Sequence, residues 1–164
     1  MSMAKVMVKK SPKFGILLGG TWGNGKTTMM KAFRRAVNEV YNSGGFSGVM
    51  DEYWKPEFQI VEAEEFNEIA RDRKEFKKYA SIRMLGIDDL GKESARVMDY
   101  GTVLEPIKRL LEIRYSKQLF TFITTNKTRQ QLDNSFDGHI GSRLEEMFHR
   151  IGFSSEIDYR KITD

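Results

Sequence analysis

The segment Gly20-Thr21-Trp22-Gly23-Asn24-Gly25-Lys26-Thr27 leaves this chain few folds to choose from. Gly20 and Gly25 bracket four residues and Lys-Thr follows, the pattern of a loop that wraps phosphate. Glycines let the backbone turn so that several N–H groups point inward at anionic oxygens. A helix beginning near Lys26 adds the positive end of its dipole. The flanks agree. Phe14-Gly-Ile-Leu-Leu18 is a short apolar run closed by Gly19-Gly20, which suits a strand buried on both faces. Beyond the loop, Met29, Met30, Phe33, Ala36, Val37, Val40 and Tyr41 recur in steps of three and four, one face of a helix. Ser43-Gly44-Gly45 is its stop. In this setting Lys26 is expected to bridge the β- and γ-phosphates of a nucleotide and Thr27 to ligate Mg²⁺. The eight residues together with Thr28 form the candidate binding set. Trp22 is expected to pack or to be partly exposed rather than to act chemically. A glycine-rich turn that happens to carry a lysine is the bland alternative.

The rest of the chain reads as alternating strands and helices. Phe58-Gln-Ile-Val61 predicts a second strand, followed by a charged helix from about Ala63 to Tyr79. Arg83-Met-Leu-Gly-Ile87 predicts a third strand ending in Asp88-Asp89. A polar loop then leads to a helix with Val103, Ile107, Leu110, Leu111 and Arg114 on one side. Thr102 and Glu105 have the spacing of a capping box there, with Pro106 in the first turn. Leu119-Phe-Thr-Phe-Ile123 predicts a fourth strand ending in Thr124-Thr125-Asn126. A helix near 139–149 and a fifth strand near 152–157 complete the pattern. This alternation implies an α/β fold, a mostly parallel sheet with helices on both faces. Ligands of such sheets sit beyond the carboxyl ends of the strands, where all three polar clusters fall.

Each cluster has a chemical reading. An acid at the end of an apolar strand is what a phosphate-bound Mg²⁺ requires, so Asp88 is the candidate metal residue. Asp89 is the candidate base that polarises the attacking water. Asn126, an amide at a strand tip, can orient that water; ordinary turn chemistry is the alternative. Arg143 is either an arginine that reaches a neighbouring subunit's γ-phosphate or half of a surface salt bridge with Glu145 or Glu146. Arg71, Arg73, Lys74, Lys77 and Lys78 form a basic run broken by acids, either a solvated helix face or a DNA-contacting one. Lys5, Lys9, Lys10 and Lys13 raise the same question in a basic arm at 1–13.

Composition narrows the class. The 164 residues suit one domain, and 40% hydrophobic residues suffice for a core. Cysteine is absent, which removes disulfides and thiolate metal sites. No stretch approaches the roughly 18 apolar residues of a membrane span, and no secretory signal is visible, so a cytoplasmic protein is expected. Net charge is +4, compatible with nucleic acid.

Taken in order, Gly20–Thr27, Leu85-Gly-Ile-Asp-Asp-Leu-Gly91, Ile113-Arg-Tyr115, Thr124-Thr-Asn126 and Ser142-Arg-Leu144 resemble the DnaC/IstB-type AAA+ ATPases, which include helicase loaders and transposase helpers. Asp158-Tyr159-Arg160 is similar to the Ser-Tyr-Arg ending of that family. The resemblance implies a P-loop NTPase αβα sandwich over 14–164 with an AAA+ core of five strands in the order 5-1-4-3-2 and no separate lid domain. It implies ATP and Mg²⁺, Asp88 as the Walker B metal residue and Asn126 as sensor 1. It also implies Arg143 as an arginine finger acting in trans within a homo-oligomer, with single-stranded DNA and a replicative helicase or a transposase as partners. The expected activity is ATP hydrolysis in DNA replication, as a helicase loader. A transposase helper, a small P-loop kinase and a nucleotide switch that scarcely hydrolyses are the other readings. Family loaders carry a partner-binding region before the core, and only about a dozen residues precede the first strand here.

Overall fold

The structure is a computed structural model that describes residues 13–46, 55–92, 97–99, 102–136 and 138–153. Five strands form one sheet: β1 (Gly15–Gly20), β2 (Phe58–Glu62), β3 (Met84–Leu90), β6 (Phe120–Thr125) and β7 (Phe148–Phe153). The order across the sheet is β2-β3-β6-β1-β7, and every pairing is parallel. Numbered by their place in the chain, these strands run 5-1-4-3-2, the AAA+ order implied above. Short strands β4 (Val97–Asp99) and β5 (Thr102–Leu104) make a separate antiparallel ribbon.

Alternation along the strands sorts the core into two layers. Ile16, Leu18, Met84 and Phe122 face helix α1 (Lys26–Asn42), which covers one side with Met30, Phe33 and Val37. Phe33 anchors this layer, stacked on Phe120 at 5.6 Å and set edge-on to Phe58 and Phe122. The buried stripe of α1 is narrower than its periodicity predicts, since Ala36 and Val40 are exposed. Leu17, Leu85, Ile87 and Ile123 face the other way. They meet α2 (Phe66–Ile69), α3 (Arg73–Tyr79), α4 (Pro106–Ser116), α5 (Arg129–Ser135) and α6 (Gly138–Met147) through Phe66, Phe76, Leu110, Leu132 and Leu144. The result is the αβα sandwich. Among the described residues no helix is long and apolar enough to cross a membrane.

Three local expectations are corrected. The single helix predicted over 63–79 is a 3₁₀ turn (Ala63–Glu65), then α2, then a break, then α3. Asp72 causes the break, because its carboxylate accepts from the Lys74 and Glu75 amides at 2.7 and 3.1 Å and so starts a new helix. Thr102 is not the N-cap of α4: the helix begins at Pro106 with Glu105 as its N-cap. Pro106 occupies the first turn of α4, and a proline pushes the residue before it out of helical geometry. Glu105 therefore sits at φ −117, ψ 76, and Thr102 to Leu104 are extended. The capping box that does form heads α5, between Thr128 and Gln131. The last strand comes earlier than predicted, at 148–153, directly after α6. Phe148 is fully buried and lies so close to Gly15 that a Cβ there would stand 2.7 Å from its ring. The basic arm before Lys13 and the Asp158-Tyr159-Arg160 ending lie outside the described residues.

Candidate functional site

β1 leads straight into the glycine loop, and Gly23 and Gly25 take φ of 79 and 80. Glycine adopts this left-handed backbone without strain. Gly25 is the residue from which α1 starts, and neither a side-chain cap nor an acid in the first turn occupies that helix end. Free N–H groups and a positive dipole there suit an anion. Lys26 is the first helical residue and is 6% exposed. Its ammonium donates to the Gly20 and Thr21 carbonyls at 3.0 and 2.8 Å. It also donates to Asn24 Oδ1 at 3.1 Å and Asn126 Oδ1 at 2.7 Å.

The acidic pair stands opposite. In a regular strand Asp88 and Asp89 would point to opposite faces. Here the β3–β6 register shifts between Ile87 and Leu90, and Asp89 adopts φ 58. This bulge lets Asp89 line the cleft while Asp88 keeps its hydrogen bond to Thr27 of the loop. Asp88 is buried and accepts from Thr27 Oγ1 at 3.1 Å and from Thr124 Oγ1. The Asp89 amide in turn donates to Thr124 Oγ1 at 2.9 Å. Asp89 Oδ1 accepts from Asn126 Nδ2 at 2.7 Å, and its Oδ2 pairs with Lys92 at 2.6 Å. The hydrogen bond that Lys92 donates to Asp89 holds its ammonium above its ordinary pKa.

A cleft of about 570 Å³ opens here, lined by Trp22, Gly23, Asn24, Gly25, Lys26, Thr27, Thr28, Asp89, Lys92 and Asn126. Three segments remote in sequence thus meet at the carboxyl ends of β1, β3 and β6. A hydroxyl and a carboxylate 3.1 Å apart are hard oxygen donors of the kind Mg²⁺ accepts when phosphate and water complete its shell. Thr27 and Asp88 therefore fit that ion.

Arg143 is not among the residues that line this cleft. It lies on α6, pairs with Glu112 of α4 at 3.3 Å and stands over the Tyr115 ring at 5.6 Å. Its partner is neither of the two acids weighed from sequence, since Glu145 pairs with Arg129 and Glu146 accepts from the Tyr115 hydroxyl. Arg71, Arg73, Lys74, Lys77 and Lys78 are all exposed.

Sequence reasoning did not single out Lys92, and named Thr124 only within the Thr124-Thr125-Asn126 cluster at the end of the fourth strand. Thr124 lies in β6, which ends at Thr125, so its place at the strand end was legible. Lys92 was not, because its place depends on the left-handed turn at Asp89 and Gly91. Arg114 lies on the buried side of α4, as its periodicity predicts, but at the opposite end of the sheet from the cleft. It donates to Thr121 Oγ1 and to the carbonyls of Tyr79, Ile82 and Phe120.

Comparison with known proteins agrees with this fold. The DnaC helicase loader superposes with a TM-score of 0.65 at 23% identity, over 92% of this chain and 85% of that one. DnaI superposes with a TM-score of 0.62 at 22% identity, over 91% of this chain and 79% of that one. A replication initiator DnaA bound to AMPPCP and single-stranded DNA gives 0.56 at 18% identity, over 88% of this chain and 42% of that one. The motif resemblance to DnaC/IstB-type proteins is thus met in the fold. No curated protein matches the sequence. The profile of the KAP family P-loop domain matches residues 1–151, and the chain belongs to that family of nucleotide-binding P-loop NTPase domains.

Proposed function

We propose that residues 14–164 form an AAA+ ATPase domain that binds ATP with Mg²⁺ and hydrolyses it. The observation that carries this reading is the convergence of Lys26, Thr27, Asp88, Asp89 and Asn126 on one cleft through direct hydrogen bonds. In this reading the loop amides of residues 20–28 hold the phosphates, and Lys26 leaves its carbonyl acceptors to bridge the β- and γ-phosphates. Thr27 and Asp88 hold Mg²⁺, which would supply neutralisation of charge on the transferring phosphoryl group. Asn126 orients a water, and Asp89 Oδ accepts its proton as the water oxygen attacks the terminal phosphorus. The bond to the bridging oxygen breaks, and ADP departs with the electron pair.

The same reading takes the protein to DNA replication, as a helicase loader acting on a replicative helicase and single-stranded DNA. Its support is the fold shared with a DnaC helicase loader and with a DnaA bound to single-stranded DNA. The exposed basic residues at 71–78 offer such a strand a cationic face. Arg143 then acts in trans, leaving Glu112 for the γ-phosphate of a neighbouring copy in a homo-oligomer. A solvent-exposed ion pair of this kind is worth at most about 1 kcal/mol and is readily exchanged.

The test is phosphate release with and without single-stranded DNA. Wild-type turnover should rise with DNA, and Asp89→Asn should cut it about 10²-fold with nucleotide affinity retained. Transfer of phosphate to a small acceptor instead would make the protein a kinase. Mixing Arg143→Ala with Lys26→Ala chains should restore part of the lost activity; assembled mixtures that stay inactive would remove Arg143 from this role.

A further inference from the structure

A continuous run of contacts joins the loop lysine to the outer rim of the cleft. Asn126 uses both ends of its amide, accepting from Lys26 at 2.7 Å and donating to Asp89 Oδ1 at 2.7 Å. Asp89 Oδ2 pairs with Lys92, whose ammonium also lies 5.3 Å from the centre of the Trp22 ring. Trp22 is 61% exposed, an unusual position for so large an apolar side chain. The backbone builds the arrangement. Asp89 and Gly91 have φ of 58 and 104, and the Lys92 amide donates to the Asp89 carbonyl at 3.2 Å. That tight turn folds the Lys92 side chain back over Asp89 and toward the loop.

Charge gives the run its direction. Lys92 meets the Asp89 carboxylate directly, and Lys26 is linked to it through Asn126. A terminal phosphate carries more negative charge and more acceptor oxygens than Asp89 and attracts both lysines more strongly. Lys92 can answer that attraction, because its side chain is 41% exposed and its stem is flexible. Lys26 alone cannot report the third phosphate to the outside, because it is buried.

We propose that Lys92 is a second cationic contact for the terminal phosphate, and that its transfer from Asp89 and the Trp22 ring to that phosphate signals a bound triphosphate at the exposed indole. The proposal rests on the ATP-binding reading above. It deepens that reading by naming the residue that separates ATP from ADP. When Lys92 moves, Asp89 keeps only the Asn126 amide and is released to take a proton. With a diphosphate the Lys92–Asp89 pair stays closed.

The chain has two tryptophans, so Trp54→Phe leaves Trp22 as the sole indole reporter. In that background, emission is followed during titration with AMPPCP and with ADP, while calorimetry measures both affinities. AMPPCP should shift Trp22 emission and ADP should not. Lys92→Gln should abolish the shift and weaken AMPPCP about tenfold, with ADP within about twofold of its starting affinity. Lys92→Arg should keep the shift. Equal emission for both nucleotides when calorimetry shows them bound overturns the proposal, as does a Lys92→Gln chain that loses ADP as strongly as AMPPCP. Absence of binding by calorimetry removes the ATP-binding reading itself, and this proposal with it.

Discussion

The two ends of the sheet each bury a cation, and the contrast between them separates scaffold from site. At the amino end of β6, Arg114 is fully buried and donates to four acceptors at 2.6 to 2.9 Å. At the carboxyl end of β1, Lys26 is nearly as buried and also donates to four acceptors, at 2.7 to 3.1 Å. The bond counts match, but the surroundings do not. The acceptors of Arg114 are three backbone carbonyls and a threonine hydroxyl inside the body of the fold, matched by a rigid guanidinium fork. They tie α4 to the start of β6 and to the turn before β3. Burial pulls the guanidinium down to about 9, which still leaves it charged at neutral pH. Lys26 borders an open cleft and carries its charge on a flexible stem, so a phosphate can replace its acceptors one by one. A buried cation is structural when its partners cannot be exchanged and functional when they can.

The largest effect that can break this comparison is on binding. Lys26→Ala should weaken ATP about 10²-fold, the worth of one or two charge-assisted bonds to phosphate, and should shift the urea midpoint only slightly. Unchanged nucleotide affinity would remove Lys26 from the site. Arg114→Met should do the reverse. It takes the guanidinium donor from three carbonyls and should cost about 3 kcal/mol, a fall in Tm of roughly 10 °C for a chain of this length. Nucleotide affinity measured well below that Tm should hold. A stable Arg114→Met chain that has lost ATP would reverse the assignment of the two ends.

A smaller effect sharpens the picture within the cleft. Thr124 Oγ1 donates to Asp88 and accepts from the Asp89 amide. Thr124→Val keeps the shape and removes both bonds, so turnover should fall about tenfold while stability drops by about 1 kcal/mol. Turnover equal to wild type would show that Thr124 does not position the acidic pair. The smallest effect lies on the edge strand β7. Burial, helped by the charge of Lys13, lowers the His149 pKa. The unfolded chain then binds a proton more readily than the folded one, so stability falls as pH drops through 6.5 toward that lowered value. His149→Gln should flatten this slope in thermal unfolding between pH 7 and 5. An unchanged slope would place the acid sensitivity elsewhere.

How much was legible follows from which interactions are local. Glycine spacing, the apolar runs of β1, β3 and β6 and the stripe of α1 are written in neighbouring residues, and each gave the right element. The helix over 63–79 was misread because one carboxylate, Asp72, outcompetes a weak periodic signal. The capping box at Thr102 was misread because Pro106 overrides a motif that is sound by spacing alone. The Arg143 partner was misjudged because Glu112 is distant in sequence and close only once α4 and α6 pack.

The sequence by itself determined that a phosphate loop, an acidic pair and an amide would stand at three strand ends, since strand periodicity and loop chemistry need no distant partner. The tertiary structure decided which way those groups face. With Asp89 left-handed, Asp88 bonds Thr27 of the loop while Asp89 lines the cleft beside Asn126. The neighbouring turn brings Lys92 onto Asp89 and Trp22. A left-handed backbone at a non-glycine costs of order 1 kcal/mol. It persists here because the Thr124, Asn126 and Lys92 contacts fix Asp89 from three sides. None of those partners is adjacent to Asp89 in the chain.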